Sequence, residues 1–343
     1  METITNRTLN LHEAWFWHEE EDRLRCRLCA HNCLIAPDRS GICRVRKNID
    51  GKLYSLNYGR LIAAHLDPIE KKPFNHFLPG TQSFSIATPG CNLACDWCQN
   101  WQISQADEVG SLTRIPEVDP KKVVQAALEF NAASIAYTYT EPVVFYEFAR
   151  DTALLAREAG LKNIFVTNGL ITPEANADLV TWLDAANVDI KAFDQDVYRK
   201  YMHGSLEPVL ETCKALKAAG IWLEITTLLV PGVNDDPLQL QNLAQFIAND
   251  LGTDTPWHIS RYYPQYKFDS PPTSLKGIEK AEHLARMAGL RYVYPGNTAS
   301  STQTVCPSCG KLLVDRDGYR TVLNELDDGR CPRCNTEIAG NWA

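Results

Sequence analysis

The sequence predicts an α/β fold, a partial (β/α)6 TIM-like barrel, from three features of its 343 residues. Between residues 84 and 295, short β-prone apolar runs alternate with longer amphipathic stretches, which is the pattern of a parallel sheet crossed over by helices. Prolines 120, 142, 173, 208 and 237 stand where helices would begin, and glycines 160, 220 and 289 stand where they would end. Cysteine groups lie on either side, which divides the chain into an N-terminal cysteine-rich module with a connector (1–80), the barrel (81–297) and a zinc-ribbon-like tail (298–343).

Composition narrows the class. The chain is 45% hydrophobic and 22% charged, with a net charge of −8. No apolar run approaches the roughly 18 residues of a membrane span, and the polar N-terminus lacks the apolar core of a secretory signal. A cytoplasmic protein with no membrane partner is expected. The basic residues are dispersed, which disfavours bulk nucleic-acid binding. Eleven of the twelve cysteines fall into close-spaced groups, as metal ligands in a reducing compartment do. The twelfth, Cys213, lies with Leu210 and Leu216 at helical spacing and reads as a core thiol.

In chain order, the first module carries Cys26, Cys29, Cys33 and Cys43, four thiols that can converge on one metal site. Zinc would staple a small loop-rich unit there; an auxiliary iron–sulfur cluster is the rival. His31 is an alternative ligand, although a histidine in such a loop is more often a surface hydrogen-bonding group. Residues 51–58 alternate as a strand does. Residues 67–80, rich in proline and charge and without a period, read as a surface connector.

Barrel strands are expected at 84–88, 134–140, 163–167, 188–192, 222–230 and 257–262, with 291–294 as a possible seventh. Helices are expected near 120–131, 142–159, 174–185, 208–219, 237–250 and 275–289. In such barrels active sites gather at the C-terminal ends of the strands. Those ends carry Thr140 and Glu141, Thr167 and Asn168, Asp189 and Lys191, Glu224 and Thr226, and His258 and Arg261. Asp189 and Lys191, two apart on the fourth strand, would share a face. His258 and Arg261, three apart, would face opposite ways.

The first strand leads through a Pro-Gly turn into Cys91-Asn-Leu-Ala-Cys95-Asp-Trp97-Cys98. Three thiolates on one polar loop, without a nearby fourth, would leave one iron of a cubic cluster open to a ligand. In the tail, Cys306-Pro-Ser-Cys309 and Cys331-Pro-Arg-Cys334 are paired knuckles. They read as a closed zinc site, with a rubredoxin-like iron as the alternative.

The CxxxCxxC loop with Trp97 before its last cysteine resembles the signature of radical S-adenosylmethionine (SAM) enzymes. With the frame Asp67-Pro-Ile-Glu70-Lys71-Lys72-Pro-Phe-Asn-His76, it resembles the AmmeMemoRadiSam branch, similar to the pyruvate formate-lyase (glycyl-radical enzyme) activating enzymes. The resemblance implies a [4Fe-4S] cluster on Cys91, Cys95 and Cys98, reductive cleavage of SAM to a 5′-deoxyadenosyl radical, and an electron donor such as flavodoxin or ferredoxin. It places Glu141 where the family's Gly-Gly-Glu motif meets the SAM amino group, although here Tyr139 and Thr140 replace the glycines. It implies SAM contacts for Trp97, Thr140, Thr167, Asn168, Asp189, Lys191 and Thr226. The segment from His258 to Arg261 falls where activases place a SAM-contacting histidine, and the turn 230–235 falls where they pass beneath adenine. It marks Glu70, Lys71, Lys72 and His76 as second-rank site residues. The substrate stays open between a small molecule and a glycyl-radical partner protein. A non-catalytic, metal-scaffolded binding protein is the reading from another class, and it gives no reason for a three-cysteine site beside two four-cysteine ones.

Overall fold

A computed structural model describes residues 11–105, 112, 114–298 and 301–342. Its centre is an eight-stranded sheet in sequential order: β1 (Ala63–Pro68), β2 (Gln82–Ala87), β3 (Ser134–Tyr137), β4 (Lys162–Thr167), β5 (Ala185–Asp189), β6 (Trp222–Leu229), β7 (Trp257–Arg261) and β8 (Val293–Gly296). Strands β2 to β8 are parallel, and β1 pairs antiparallel with β2. The sheet is the partial barrel. It extends beyond six parallel strands by β8 on one side and by the antiparallel β1 on the other.

The crossover helices are α1 (Pro120–Glu129), α2 (Tyr146–Glu158), α3 (Pro173–Leu179), α4 (Glu207–Ala218), α5 (Pro237–Phe246) and α6 (Leu275–Met287). Their starts are written in side chains. Asp119 accepts from Lys121 N, Thr172 from Ala175 N, Asp236 from Leu238 N and Ser274 from Gly277 N. Each such cap contributes about 1 kcal/mol by satisfying an orphan donor. The apolar face of α1, with Val123, Val124 and Ala127, is buried.

Several element bounds differ from expectation. The fourth strand runs from Ala185 to Asp189 rather than over 188–192. Ala185, Ala186 and Asn187 are poor strand formers, but all three are fully buried, and packing overrides propensity. Lys191 therefore lies beyond the strand. Helix α3 stops at Leu179, not near 185, and the chain turns early to feed β5. The stretch 142–159 begins as a 3-10 turn, Pro142–Phe145, and the stretch 237–250 ends in a π turn, Ile247–Leu251. Strand β3 ends at Tyr137, because Tyr139 takes a left-handed φ of 62°.

The largest correction concerns residues 67–80. They do not form a surface connector: Asp67, Glu70, Lys72, Asn75 and His76 are all buried. Glu224, projecting from β6, explains why. Its carboxylate accepts from the main-chain N–H groups of Asn75 and His76 at 3.0 and 2.8 Å, from Trp222 Nε1 and from His258 Nε2. An irregular segment is buried here because its polar groups find long-range partners.

N-terminal to the barrel are two small antiparallel sheets. One contains Trp17–Glu20, Arg23–Cys26 and Leu34–Ile35; the other contains His12–Glu13, Lys52–Ser55 and Arg46–Ile49. C-terminal to it, β9 (Thr302–Val305), β10 (Leu312–Asp317) and β11 (Arg320–Asn324) form a third. No helix among the described residues is long and apolar enough to cross a membrane.

Candidate functional site

The strand ends open into one cavity of about 720 Å³, within the range of about 300–1,000 Å³ typical of small-molecule sites. Sheet register sets its floor. Asp189, Thr226, His258 and Tyr294 are aligned partners on four neighbouring strands, so their side chains share one face. The loop after β2 forms one wall with Cys91, Cys95, Trp97 and Cys98, and the turns after β3 and β4 supply Thr140, Glu141, Thr167 and Asn168.

Glu141 is fully buried. Its carboxylate accepts from Thr167 Oγ1 at 2.6 Å, Asn168 N at 2.8 Å and Val143 N at 3.1 Å. Burial nevertheless raises its pKa to about 7, the three donors offsetting only part of the desolvation. Asn168 reaches onward, donating to Asn92 Oδ1 at 2.8 Å and lying 3.8 Å from Cys91 Sγ. The carboxylate and the cysteine loop are thus joined through one residue, by its main-chain N–H on one side and its side-chain amide on the other. Burial pushes the Cys91 thiol well above its ordinary range and Cys95 up to about 12. Buried thiols of this kind ionise only when a cation replaces the proton.

Lys191 and Asp189 form an ion pair at 3.1 Å. Burial opposes the charge on Lys191, but Asp189, Cys95 and Tyr198 together outweigh it and hold the ammonium pKa above its ordinary value. Asn234 in the turn 230–235 donates to the carbonyls of Lys191 and Leu228, fixing the two strand ends together. Thr226 Oγ1 is buried in the cavity floor without a protein partner, an orphaned hydroxyl that suits a polar ligand. Trp97 packs on Tyr201 and Phe268.

Of the first-rank residues singled out from the sequence, twelve line this cavity: the three cysteines, Trp97, Thr140, Glu141, Thr167, Asn168, Asp189, Lys191, Thr226 and His258. Arg261 is not among the lining residues, and its Nε donates to Thr273 O. Glu70, Lys71 and Lys72 do line it, whereas His76 sits behind it. Sequence reasoning missed Tyr139, Asn75 and the tail residues Arg316, Gly318 and Tyr319, which also line it. The gap left by the two missing glycines was a signal for Tyr139, which keeps a glycine-like φ; the tail residues gave none.

The three cysteine groups differ in spacing. Cys306, Cys309, Cys331 and Cys334 bring their sulfurs within 4.8 Å of one another, with closest pairs at 3.5 and 3.6 Å. Sulfurs around one tetrahedral ion at about 2.3 Å lie about 3.8 Å apart, so the tail group fits a single-ion site of zinc-ribbon type. Among the described residues no other three potential ligands gather so closely. Cys91, Cys95 and Cys98 do not all gather within that distance.

A partial barrel with an open three-cysteine loop at its strand ends defines a class, and comparison gives its name. Residues 85–244 match the Radical SAM superfamily. An uncharacterized protein of Methanocaldococcus jannaschii is 43% identical over 96% of this chain and 99% of its own length. The pyruvate formate-lyase-activating enzyme of Staphylococcus epidermidis is 26% identical over 63% of this chain and 89% of its own. A crystal structure of a radical SAM methyltransferase from Sphaerobacter thermophilus shares the fold at a TM-score of 0.50 and 17% identity, covering 69% of this chain and 71% of that one. The chain belongs to the radical SAM superfamily, with activating enzymes of glycyl-radical proteins among its distant relatives.

Proposed function

We propose that the chain is an enzyme that reductively cleaves SAM and abstracts hydrogen from a substrate held in the same cavity. The observation that carries this reading is the convergence of Cys91, Cys95, Cys98, Glu141, Asn168 and the unpartnered Thr226 hydroxyl on one 720 Å³ space. A [4Fe-4S] cluster bound by the three thiolates would supply the open iron and the electron for sulfonium cleavage. The protein's part is positioning and exclusion of water. Glu141, once ionised, attracts an ammonium group. Asn168 keeps Glu141 and the cysteine loop in register, and the Asp189–Lys191 pair offers both signs of charge to a zwitterion. Trp97, wedged between Tyr201 and Phe268, shields the loop from solvent. A low-potential flavodoxin or ferredoxin is the matching electron donor, and zinc is the matching ion for the tail.

The mouth bears on substrate size. Arg316, Gly318 and Tyr319 of the tail line the cavity together with barrel residues, which supports a small molecule rather than a folded partner. The activase reading is favoured instead by the relationship to pyruvate formate-lyase-activating enzymes. Anaerobic reconstitution with reductant and SAM tests the core reading: 5′-deoxyadenosine should form, and its absence with or without added substrates would sink the assignment. A glycyl radical detected by EPR on a partner protein would decide for activation.

A further inference from the structure

We propose that Cys26, Cys29, Cys33 and Cys43 hold a second iron–sulfur cluster of the cubic four-iron kind, seated against the loop that carries Cys91. The four thiols line one small pocket of the N-terminal module, so they serve a common occupant. Their spacing is wider than that of the ribbon. The tail sulfurs gather within 4.8 Å of one another, and no three of the N-terminal sulfurs do. In this they match the open three-cysteine loop, not the ribbon. Ligand sulfurs around a cubic cluster stand on the order of 6 Å apart, against about 3.8 Å around zinc.

A second observation is independent of the sulfurs. Arg46 lines the same pocket, and its side chain is 1% exposed. Its Nη1 donates to Trp15 O and its Nη2 to Glu147, but its Nε is buried without a partner. An unsatisfied guanidinium N–H at an anionic cluster would find its acceptor in a bridging sulfide or a thiolate.

The two cysteine loops also touch. His31, between Cys29 and Cys33, donates from Nε2 to the carbonyl of Asn92 at 2.6 Å, which ties one cysteine loop to the other. A β-carbon built on Gly90 would lie 3.3 Å from the carbonyl oxygen of Cys43. Backbone bond lengths then keep the Cα atoms of Cys43 and Cys91 within about 11 Å of each other. Clusters on both loops would be close enough to sense each other's spin.

The test uses the full chain with Cys91, Cys95 and Cys98 all replaced by alanine, which separates this site from the proposed SAM site. After anaerobic reconstitution, about four irons and four sulfides should remain per chain, with an EPR signal that SAM does not alter. Zinc in place of iron, two irons, or no iron in a variant that keeps the wild-type circular dichroism would overturn the proposal. Should that variant not fold, Mössbauer counting on wild-type protein answers the same question: about eight irons per chain support a second cluster and about four exclude it. In fully reduced wild-type protein the two EPR signals should broaden through mutual coupling; independent sharp signals would contradict the adjacency. None of these readouts requires turnover, so failure of the proposed SAM chemistry would leave them intact.

Discussion

Tyr139 donates its hydroxyl to Asp67 from a backbone held in the left-handed region, with φ at 62°. That conformation costs a bulky residue about 1–2 kcal/mol, and the surroundings repay it. Asn100 Nδ2 donates to Tyr139 O at 2.7 Å, and Lys72 Nζ sits 4.0 Å above the ring. Asp67 in turn pairs with Lys71 and Lys72, each at 2.7 Å. The strand that opens the sheet is thereby tied to the turn that precedes Glu141. Tyr139→Phe should lower unfolding free energy by about 1–2 kcal/mol through the lost hydrogen bond to a buried carboxylate. Chemical denaturation measures this, and an unchanged midpoint would show that ring packing alone holds the turn.

His76 offers a pH test of the tail's attachment. Its Nδ1 donates to Ala339 O at 2.6 Å, and its Nε2 accepts from Tyr294 OH at 2.5 Å, a network that needs the neutral ring. Burial lowers its pKa from 6.5 to about 4. The folded state therefore binds this proton less readily than the unfolded state does. The stability linked to His76 is complete above pH 6.5 and is lost progressively as pH falls toward 4. His76→Gln should flatten that part of the stability profile; a slope identical to wild type would assign it to other groups.

Glu141 predicts a pH dependence in ligand binding. With its pKa near 7, it is mostly neutral at pH 6 and mostly charged at pH 8. SAM affinity for the reconstituted protein should rise across that interval by roughly tenfold, whereas Glu141→Gln should bind weakly at both values with unchanged iron content. Equilibrium dialysis at the two pH values decides; equal affinity in wild type would remove Glu141 from the ammonium site.

The ribbon metal should govern the mouth of the cavity. Cys331→Ser with Cys334→Ser should lose one equivalent of metal and leave the iron of the three-cysteine loop in place. The tail should then be cut by trace protease at a rate at least roughly tenfold higher. Metal analysis and peptide mapping report both, and a protease-resistant metal-free tail would show that its packing alone suffices.

Much of this architecture was legible in local signals. Asp119, Thr172, Asp236 and Ser274 sit where the helices start, and their cap bonds are formed. The three-cysteine loop and the strand-end polar groups were readable because spacing along a strand fixes facing. The fourth strand was misplaced by three residues, since Val188 to Ala192 looked more strand-like than the buried Ala185 and Ala186. Residues 67–80 were misread for a deeper reason. Glu70 Oε1 accepts from Thr321 Oγ1 and from the N–H of Gly80, and Asn75 O accepts from Arg316. Partners so distant leave no periodic trace.

Those distant partners also order events during synthesis. His76 waits for Ala339, 263 residues further along the chain, and Glu70 waits for Thr321, 251 residues further along. Loop closure over such lengths comes late in assembly. On a translating ribosome the barrel strands emerge first, leaving the part of the cavity wall that Arg316, Gly318 and Tyr319 form open until the tail is made. Access to the cavity is thus widest before the ribbon is finished, and its completion narrows the way in.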